Sequence, residues 1–256
     1  MRVGPFQRRW ILLIIAVATL CACAGQQARK DPEMAKATRT IGEAYMNQGD
    51  LTAALRELLK AERLNPDDPF VHNDLGLCYM LKKRMPDAIA HFKKAIDLNP
   101  GYAPARNNLG TAYLEMEQWD AAIRVFKEIT QDLLYATPHY PLSNLGLAYY
   151  QKGQYRTAMR YYKKALKVQP DFANALRGVG RIYLATNQGR LALKYLKRAV
   201  KSAPQAPEIY LDLGEAYLLV GQIEEARHAY DNVVDLAPPE SELSEKARRR
   251  LNTLGH

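Results

Sequence analysis

Residues 72–100 read HNDLGLCYMLKKRMPDAIAHFKKAIDLNP, and five positions of this stretch recur throughout the chain: Gly76, Tyr79, Ala88, Phe92 and Pro100. The glycine returns at steps of 34, 34, 36, 34 and 34 residues, as Gly42, Gly76, Gly110, Gly146, Gly180 and Gly214. Each glycine is followed by a tyrosine three residues later, by an alanine twelve residues later and by a large apolar residue sixteen residues later. So regular a period indicates one supersecondary unit repeated six times.

The recurring glycines predict close helix packing. Glycine inside a helix costs about 1 kcal/mol relative to alanine, so six of them require a packing reason. We expect the glycine of a first helix and the alanine of a second helix to let the two backbones approach closely. The tyrosine and the large apolar residue would then fill the space on either side. A proline ends the second helix in five of the units: Pro66, Pro100, Pro170, Pro204 and Pro238.

This pattern resembles the tetratricopeptide (TPR) repeat, which has the same period. The resemblance implies an all-α fold, a superhelical solenoid of six helix-turn-helix repeats, because one unit cannot bury its own apolar face and must stack on its neighbours. Residues 241–256, with several apolar side chains on one side, are predicted to form a C-terminal capping helix. The predicted repeats, which together span 35–240, are 35–68, 69–102, 103–136, 139–172, 173–206 and 207–240.

The N-terminus has the composition of a secretory signal. Arg2, Arg8 and Arg9 precede an apolar run, residues 10–20, which ends in small residues and cysteine. The run is too short to span a bilayer core of about 30 Å, which needs roughly 20 residues. It fits the charged, apolar and small-residue regions of a signal peptide. An uncleaved anchor and an ordinary signal peptide are the alternatives.

The end of this run, Leu20-Cys21-Ala22-Cys23, resembles a bacterial lipobox. In that motif, signal peptidase cuts before a cysteine that receives a diacylglyceryl group. Cys23 has leucine at −3 and alanine at −1, and we take it as the lipidation site. Cys21 is preceded by leucine, where the enzyme requires a small residue, and is the poorer alternative.

Processing before Cys23 makes residues 1–22 the lipoprotein signal peptide and residues 23–34 the lipidated N-terminus and a short tether. The next residue is Ala24 rather than the aspartate that commonly retains lipoproteins in the inner membrane. The resemblance therefore implies a lipid-anchored protein of the outer membrane that faces the periplasm. Cys78 then has no partner for an intramolecular disulfide, and we expect a buried, unreactive thiol.

The sequence carries no recognisable catalytic constellation. It has no glycine-rich phosphate loop and no G-x-S-x-G motif. The histidines are scattered, and none stands at metal-ligand spacing from a cysteine, a carboxylate or another histidine: His72, His91, His139, His228 and His256. We therefore expect a binding protein rather than an enzyme, with no catalytic residue, no cofactor and no metal.

Asparagines recur just before the repeat glycine, on the first helix of the repeats: Asn73, Asn107, Asn108 and Asn144. In TPR stacks the first helices line the concave groove, and an asparagine amide both donates to and accepts from a peptide backbone. These four residues are therefore candidate partner-binding residues. The alternative is that they only tie one first helix to its neighbour.

The charge of the chain is unevenly distributed. The formal net charge is +9 overall. Residues 139–206 contain 13 lysines and arginines against one acid, whereas residues 207–256 contain 5 against 10. Arg177 and Arg181 lie one turn apart on the first helix of repeat 5, and we consider them a candidate contact for an anion or a carboxylate. The basic residues of the second helices have a simpler alternative interpretation, in which they only keep a convex face solvated. The export signal argues against a nucleic-acid partner.

One segment departs from the period. Residues 126–146 read FKEITQDLLYATPHYPLSNLG, two residues longer than the equivalent segments, and Leu134 replaces the closing proline. This segment resembles the TPR lipoproteins of type IV pilus biogenesis, the PilF/PilW/Tgl family of secretin pilotins. That family carries a similar D-x-L-Y motif after the third repeat, which in this chain is at residues 132–135. An N-L-G-L motif follows shortly afterwards, and in this chain it is at residues 144–147. Ala136 and Thr137 stand where the family usually has proline directly after the tyrosine.

The resemblance implies an outer-membrane pilotin that binds secretin subunits and promotes their localisation and multimerisation in the outer membrane during type IV pilus assembly. Its partners would be the pilus secretin and, through the lipid anchor, the membrane, and we expect the protein to be a monomer. The alternative is a periplasmic TPR scaffold lipoprotein that tethers cell-envelope proteins unrelated to a secretin.

Overall fold

The computed structural model describes residues 31–131 and 136–255, which fold into thirteen α-helices without a strand. The predicted all-α class is therefore confirmed. Cys21, Cys23, the signal segment, most of the tether, the D-x-L-Y residues 132–135 and His256 lie outside the described residues. The helices are α1 (Pro32–Asn47), α2 (Leu51–Leu64), α3 (Pro69–Leu81), α4 (Met85–Leu98), α5 (Ala103–Glu115), α6 (Trp119–Gln131), α7 (His139–Gln151), α8 (Tyr155–Val168), α9 (Ala173–Ala185), α10 (Gly189–Ser202), α11 (Pro207–Leu219), α12 (Ile223–Leu236) and α13 (Glu242–Thr253).

The chain divides into two compact units, one ending at Pro100 and the other beginning at Gly101. In the first unit, α1 packs on α2, α2 on α3, and α3 on α4. In the second unit, each helix from α5 to α13 packs on the next, so that helix hairpins follow one another and α13 closes the C-terminal end. First helices also contact first helices of adjacent repeats, as α7 does with α9 and α9 with α11.

Helix α1 begins earlier than the sequence suggested. Its N-cap is Asp31, whose carboxylate accepts a hydrogen bond from the Met34 backbone N–H at 3.0 Å, and Pro32 fits the first helical position because that N–H needs no partner. The Asp31 N–H donates to the Leu64 carbonyl at 3.0 Å, which fixes the start of α1 against the end of α2. The last residues of the expected tether are therefore helical.

The repeat glycines lie directly beneath large side chains of the second helix. A Cβ added to each of the six glycines would come within 2.5–2.8 Å of such a side chain. The side chains, in repeat order, are Leu58, Phe92, Phe126, Tyr162, Leu196 and Tyr230. We expected the glycine to approach the alanine of the second helix and the large residues to lie to either side. Instead the large residue occupies the space that the missing Cβ leaves, while all six repeat alanines are completely buried beside it.

The turn between the two helices of each repeat has its own periodic signal. Seven residues after each repeat glycine the backbone has a positive φ, at Gly49, Lys83, Glu117, Gly153, Asn187 and Gly221. Glycine adopts this conformation without a steric cost, and lysine or glutamate does so less readily. The turn geometry is therefore conserved between repeats even where the residue is not glycine.

The last helix, α13, is fixed by apolar packing and by one charged contact. Ala247 is completely buried in a cluster with Leu211 of α11 and Val233 of α12. The Arg250 guanidinium donates two hydrogen bonds to the Glu215 carboxylate, at 2.7 and 2.9 Å. Helix α13 therefore covers an apolar surface that would otherwise be exposed at the end of the last repeat.

Candidate functional site

A cleft of about 270 Å³ lies on the first helices of repeats 4, 5 and 6. Its lining residues belong to α7, α9 and α11, with one ring contributed by α8: Ser143, Asn144, Leu147, Tyr162, Asn174, Arg177, Gly178, Arg181 and Glu208. Three successive repeats thus present polar side chains to one cleft.

The cleft floor is formed by Tyr162 and Gly178. The Tyr162 ring is buried, and it fills the space that a Cβ at Gly178 would need as well as the space above Gly146. Burial raises the pKa of the Tyr162 phenol. The phenol therefore stays protonated under physiological conditions.

Arg177 has a partner within the fold. Its Nε donates to the Asp212 carboxylate of α11 at 2.6 Å. Burial raises the pKa of Asp212, and the adjacent Arg177 guanidinium opposes that rise. We expected Arg177 to be available to an anionic partner, but the ion pair assigns it a structural role, because a buried carboxylate needs a compensating charge.

Arg181 is the cation that the cleft presents. Its guanidinium lies over the Tyr150 ring, 4.5 Å from the ring centre. Within the part of the chain that the structure describes, Arg181 forms no ion pair. Its positive charge also opposes the burial-driven rise in the pKa of Asp212, so Arg181 is linked electrostatically to the Arg177–Asp212 pair as well as lining the cleft.

The structure separates the four candidate asparagines. Asn144 lines the cleft together with Arg177 and Arg181. Asn73 is 4% exposed, and its amide donates to the carboxylate of the adjacent Asp74 at 3.1 Å, so this hydrogen bond lies within α3 and does not join one first helix to another. Asn107 and Asn108 are half-buried on α5 and do not line the cleft.

The Arg177–Asp212 pair has a counterpart in the first unit. Arg39 of α1 and Asp74 of α3 approach within 3.6 Å, and both pairs are separated by 35 residues. In each pair the arginine lies three residues before its repeat glycine and the aspartate two residues before the next one. An arginine–aspartate pair at these positions therefore ties first helices of neighbouring repeats together.

Asp74 lies in a more complex environment than Asp212. Burial, followed by the hydrogen bond and the negative charge of Glu43, raises the pKa of Asp74 to about 7. Asn73 and Arg39 oppose this rise. Because Glu43 also pairs with Arg39 at 3.4 Å, two carboxyl groups share one guanidinium, and one of the two carboxyls tends to keep a proton.

Two histidines that are far apart in sequence meet in the first unit. The Nδ1 atoms of His72 and His91 are 3.1 Å apart, and a Glu62 carboxylate oxygen lies 3.7 Å from the His72 Nδ1. The sequence spacing had suggested no such group, because the three side chains come from α2, α3 and α4. The expectation that no histidine pairs with another histidine or with a carboxylate is therefore wrong for His72 and His91.

The basic residues of α8 and α10 are solvent-exposed, which fits the solvated-face alternative. Several stack on nearby tyrosines, as Arg160 and Lys164 do on Tyr161.

Within the described residues, no helix combines the length and apolar character that crossing a membrane requires.

The polar side chains of the cleft that the sequence analysis missed, apart from the Tyr162 hydroxyl, are Ser143, Asn174 and Glu208. Asn174 and Glu208 occupy the same repeat position. Both lie six residues before their repeat glycine, at the start of the first helix. A position-by-position comparison of the first helices could have found them, since residues at equivalent repeat positions face the same surface.

Comparison with known families shows a match to tetratricopeptide repeats over most of the described chain. One tetratricopeptide repeat family matches residues 25–69, 39–103, 143–207 and 180–241, and a second matches residues 79–133. No curated protein matches the sequence.

Solved structures share the fold at low sequence identity. The type IV pilus biogenesis factor PilW is 20% identical, with a TM-score of 0.72, and the match covers 84% of this chain and 98% of PilW. PilF of Pseudomonas aeruginosa is 20% identical, with a TM-score of 0.69, over 85% of this chain and 98% of PilF. The Cut9–Hcn1 hetero-tetramer of the APC/C is 16% identical, with a TM-score of 0.75, over 89% of this chain and 44% of the other. These likenesses establish the fold alone, because equally similar folds belong to proteins of different systems.

Proposed function

We propose a function from the fact that this chain belongs to the tetratricopeptide repeat family. The protein is an outer-membrane lipoprotein that binds secretin subunits and promotes their localisation and multimerisation in type IV pilus assembly. A repeat scaffold of this kind acts by binding other proteins, through surface residues that differ between repeats. The finer assignment to a secretin pilotin rests on the following features of the chain.

The long segment between repeats 3 and 4 and the lipobox-like N-terminus favour a pilus role. PilW, described as a type IV pilus biogenesis factor, and PilF both match this chain over nearly their whole length. The off-period segment at 126–146 and the lipobox at Leu20–Cys23 add sequence features that a generic TPR scaffold does not need.

The observation that carries the proposal is the cleft on α7, α9 and α11. Arg181 presents a positive charge and Glu208 presents a negative charge. The Asn144 and Asn174 amides each present a hydrogen-bond donor and an acceptor. An extended segment of the partner would place a carboxylate at Arg181, its backbone at the two asparagines, and an N–H or cationic group at Glu208. A charge-assisted hydrogen bond to Arg181 would supply most of the discrimination.

The test replaces Arg181 by Glu and measures secretin binding and ring assembly. Charge reversal at this position should weaken secretin binding about tenfold or more, since a central arginine contact commonly contributes over 1 kcal/mol. The residual binding should depend less on salt. Secretin rings should become scarce in the outer membrane while monomers accumulate.

Arg160→Glu is the matched control. Arg160 also lies over a tyrosine ring, 5.6 Å from its centre, but on α8 and outside the cleft. Its reversal should leave binding within about twofold, because Arg160 does not line the cleft, and it should shift the folding stability by within about 0.5 kcal/mol. Arg177 is unsuitable, because its loss would leave the buried Asp212 carboxylate without its hydrogen-bonded guanidinium.

Wild-type ring assembly by the Arg181→Glu protein would remove the cleft from the mechanism. Failure of the wild-type protein to bind secretin at all would reject the pilotin function and favour the periplasmic scaffold.

A further inference from the structure

Glu62, His72 and His91 bring three metal-ligating side chains together in the first unit. One ligand atom from each lies within 4.8 Å of the others. The residues come from the end of α2, the start of α3 and the middle of α4, so the group joins repeat 1 to both helices of repeat 2. Neither the cleft nor the proposed secretin contact uses these residues.

The His72 ring is held in one tautomer. Its Nε2 lies 2.8 Å from the Pro66 carbonyl oxygen, and a carbonyl only accepts, so Nε2 carries the ring proton. The Nδ1 atom of His72 therefore has a lone pair, which points towards His91 and Glu62. A histidine whose second nitrogen donates to a backbone carbonyl is the usual arrangement of a metal ligand.

The spacing of the donor atoms suits a small tetrahedral ion. Nitrogen and oxygen ligands lie about 2.0–2.2 Å from zinc, so neighbouring corners of the tetrahedron are roughly 3.3–3.6 Å apart. The two separations that involve His72 Nδ1, 3.1 Å to His91 Nδ1 and 3.7 Å to a Glu62 carboxylate oxygen, lie just below and just above this range, and all three ligand atoms lie within 4.8 Å of one another. Small side-chain adjustments would complete the geometry.

The ring of His91 is also restrained. It stacks on the Tyr79 ring, with 5.3 Å between centroids, and it lies 27° from parallel to the His72 ring, with 5.4 Å between centroids. Without an ion, His91 Nδ1–H donates to His72 Nδ1. With an ion, that proton moves to His91 Nε2, the ring stays neutral, and both Nδ1 lone pairs become ligands.

We propose that Glu62, His72 and His91 bind one Zn²⁺ ion, with a water molecule as the fourth ligand. Two imidazoles and one carboxylate favour zinc-like transition metals over Mg²⁺ and Ca²⁺, which prefer oxygen ligands alone. The His72 side chain is 5% exposed and that of Glu62 29% exposed, so the ion enters from the Glu62 side. Bound zinc clamps the end of α2 to α3 and α4 and stabilises the junction of the first two repeats.

The test titrates the metal-free full-length chain with Zn²⁺, by calorimetry and by thermal unfolding. We expect saturable binding of about one ion and an unfolding temperature that rises with zinc concentration. Mg²⁺ at the same concentrations should produce neither effect. Glu62→Gln should weaken zinc binding at least about tenfold while preserving the side-chain shape.

His91→Phe removes a ligand atom but keeps a ring against Tyr79, and it should abolish the stabilisation by zinc. His228→Phe is the control, because His228 is an exposed histidine of α12 in the second unit and is not one of the three ligands. The wild-type protein and all the variants contain the same cysteines, so a difference in zinc binding between them reports on this site. Equal zinc binding by wild type, Glu62→Gln and His91→Phe, or no saturable binding by wild type, would overturn the proposal and leave a histidine–histidine hydrogen bond alone.

Discussion

Asp74 is a buried carboxyl whose neighbours act on its proton in opposite directions. Burial and Glu43 favour the protonated form, whereas Arg39 and Asn73 favour the carboxylate, and the pKa rises to about 7. The Arg39–Asp74 ion pair, at 3.6 Å, is too long to offset the loss of solvent. The group therefore titrates near neutral pH.

The first prediction is a pH dependence of stability that Asp74→Asn removes. Between pH about 4 and about 7, native Asp74 holds a proton that the unfolded chain has released, so the contribution of Asp74 to the free energy of unfolding should fall as the pH rises. One group contributes at most about 1.4 kcal/mol per pH unit. The decline should end above about pH 7, as urea unfolding at several pH values would measure.

Asp120→Asn is the control for this effect. The adjacent Lys152 lowers the pKa of the exposed Asp120 carboxyl, so its contribution is constant above pH 4 and is lost only in more acidic solution. An Asp74→Asn protein whose stability has the same pH dependence as wild type would contradict the environment assigned to Asp74. The two proteins are compared with each other because burial lowers the pKa of His91 and of His139, which opposes the decline over the same pH range.

At the scale of elements, charged contacts link helices of successive repeats. Arg177 joins α9 to α11, and Arg250 joins α13 to α11 with two hydrogen bonds to Glu215. Glu215 also accepts a hydrogen bond from the Tyr230 hydroxyl of α12 at 3.0 Å. The C-terminal helices therefore meet at one carboxylate.

The second prediction concerns Arg250→Ala. Loss of the guanidinium should destabilise the docking of α13 by about 1 kcal/mol, a modest value because the pair is partly exposed. Amide hydrogen exchange should quicken in α13 and in the adjoining parts of α11 and α12. It should stay unchanged in α1–α4, since coupling in repeat proteins passes through neighbours.

Arg249→Ala provides a matched comparison. Arg249 is adjacent in sequence, but it pairs only with Glu245 of its own helix, at 3.5 Å. Its removal should change stability by less than about 0.5 kcal/mol. Equal effects of the two substitutions would mean that the Glu215 contact does not hold α13 in place.

At the scale of the whole molecule, our proposal requires a membrane anchor. Residues 139–206 carry a large excess of basic charge, but their lysines and arginines on α8 and α10 are dispersed over exposed helix faces. Surface charge binds only membranes that present anionic lipids, whereas two or more acyl chains anchor stably. The lipidated cysteine would therefore determine the location of the protein.

The third prediction distinguishes the two candidate cysteines. Cys23→Ala should abolish incorporation of labelled palmitate and move the protein from the membrane fraction to the soluble periplasmic fraction. Cys21→Ala should leave labelling and fractionation unchanged. Loss of labelling in the Cys21→Ala protein alone would identify Cys21 as the modified residue, and no labelling of the wild type would reject the anchor.

The sequence by itself determined the repeat architecture. Glycine, tyrosine, alanine and a large apolar residue recur in a fixed order, and each position has a constant place relative to the helix axis and the next repeat. The complete burial of all six repeat alanines follows from that order, because a helical period specifies which residues face the core. The start of α1 at Pro32 was missed, although Asp31 and Pro32 form a recognisable helix start.

Only the tertiary structure decided which polar residues are available to a partner. Arg177 and Arg181 were equivalent candidates in the sequence, yet Arg177 pairs with Asp212, 35 residues away, and Arg181 does not. His72 and His91 meet across 19 residues, because the hairpin of α3 and α4 brings their rings together. The positions of the buried residues depend on local helical geometry, which is the same in each repeat. A polar contact depends instead on the packing of separate helices and on individual rotamers, which no local period encodes.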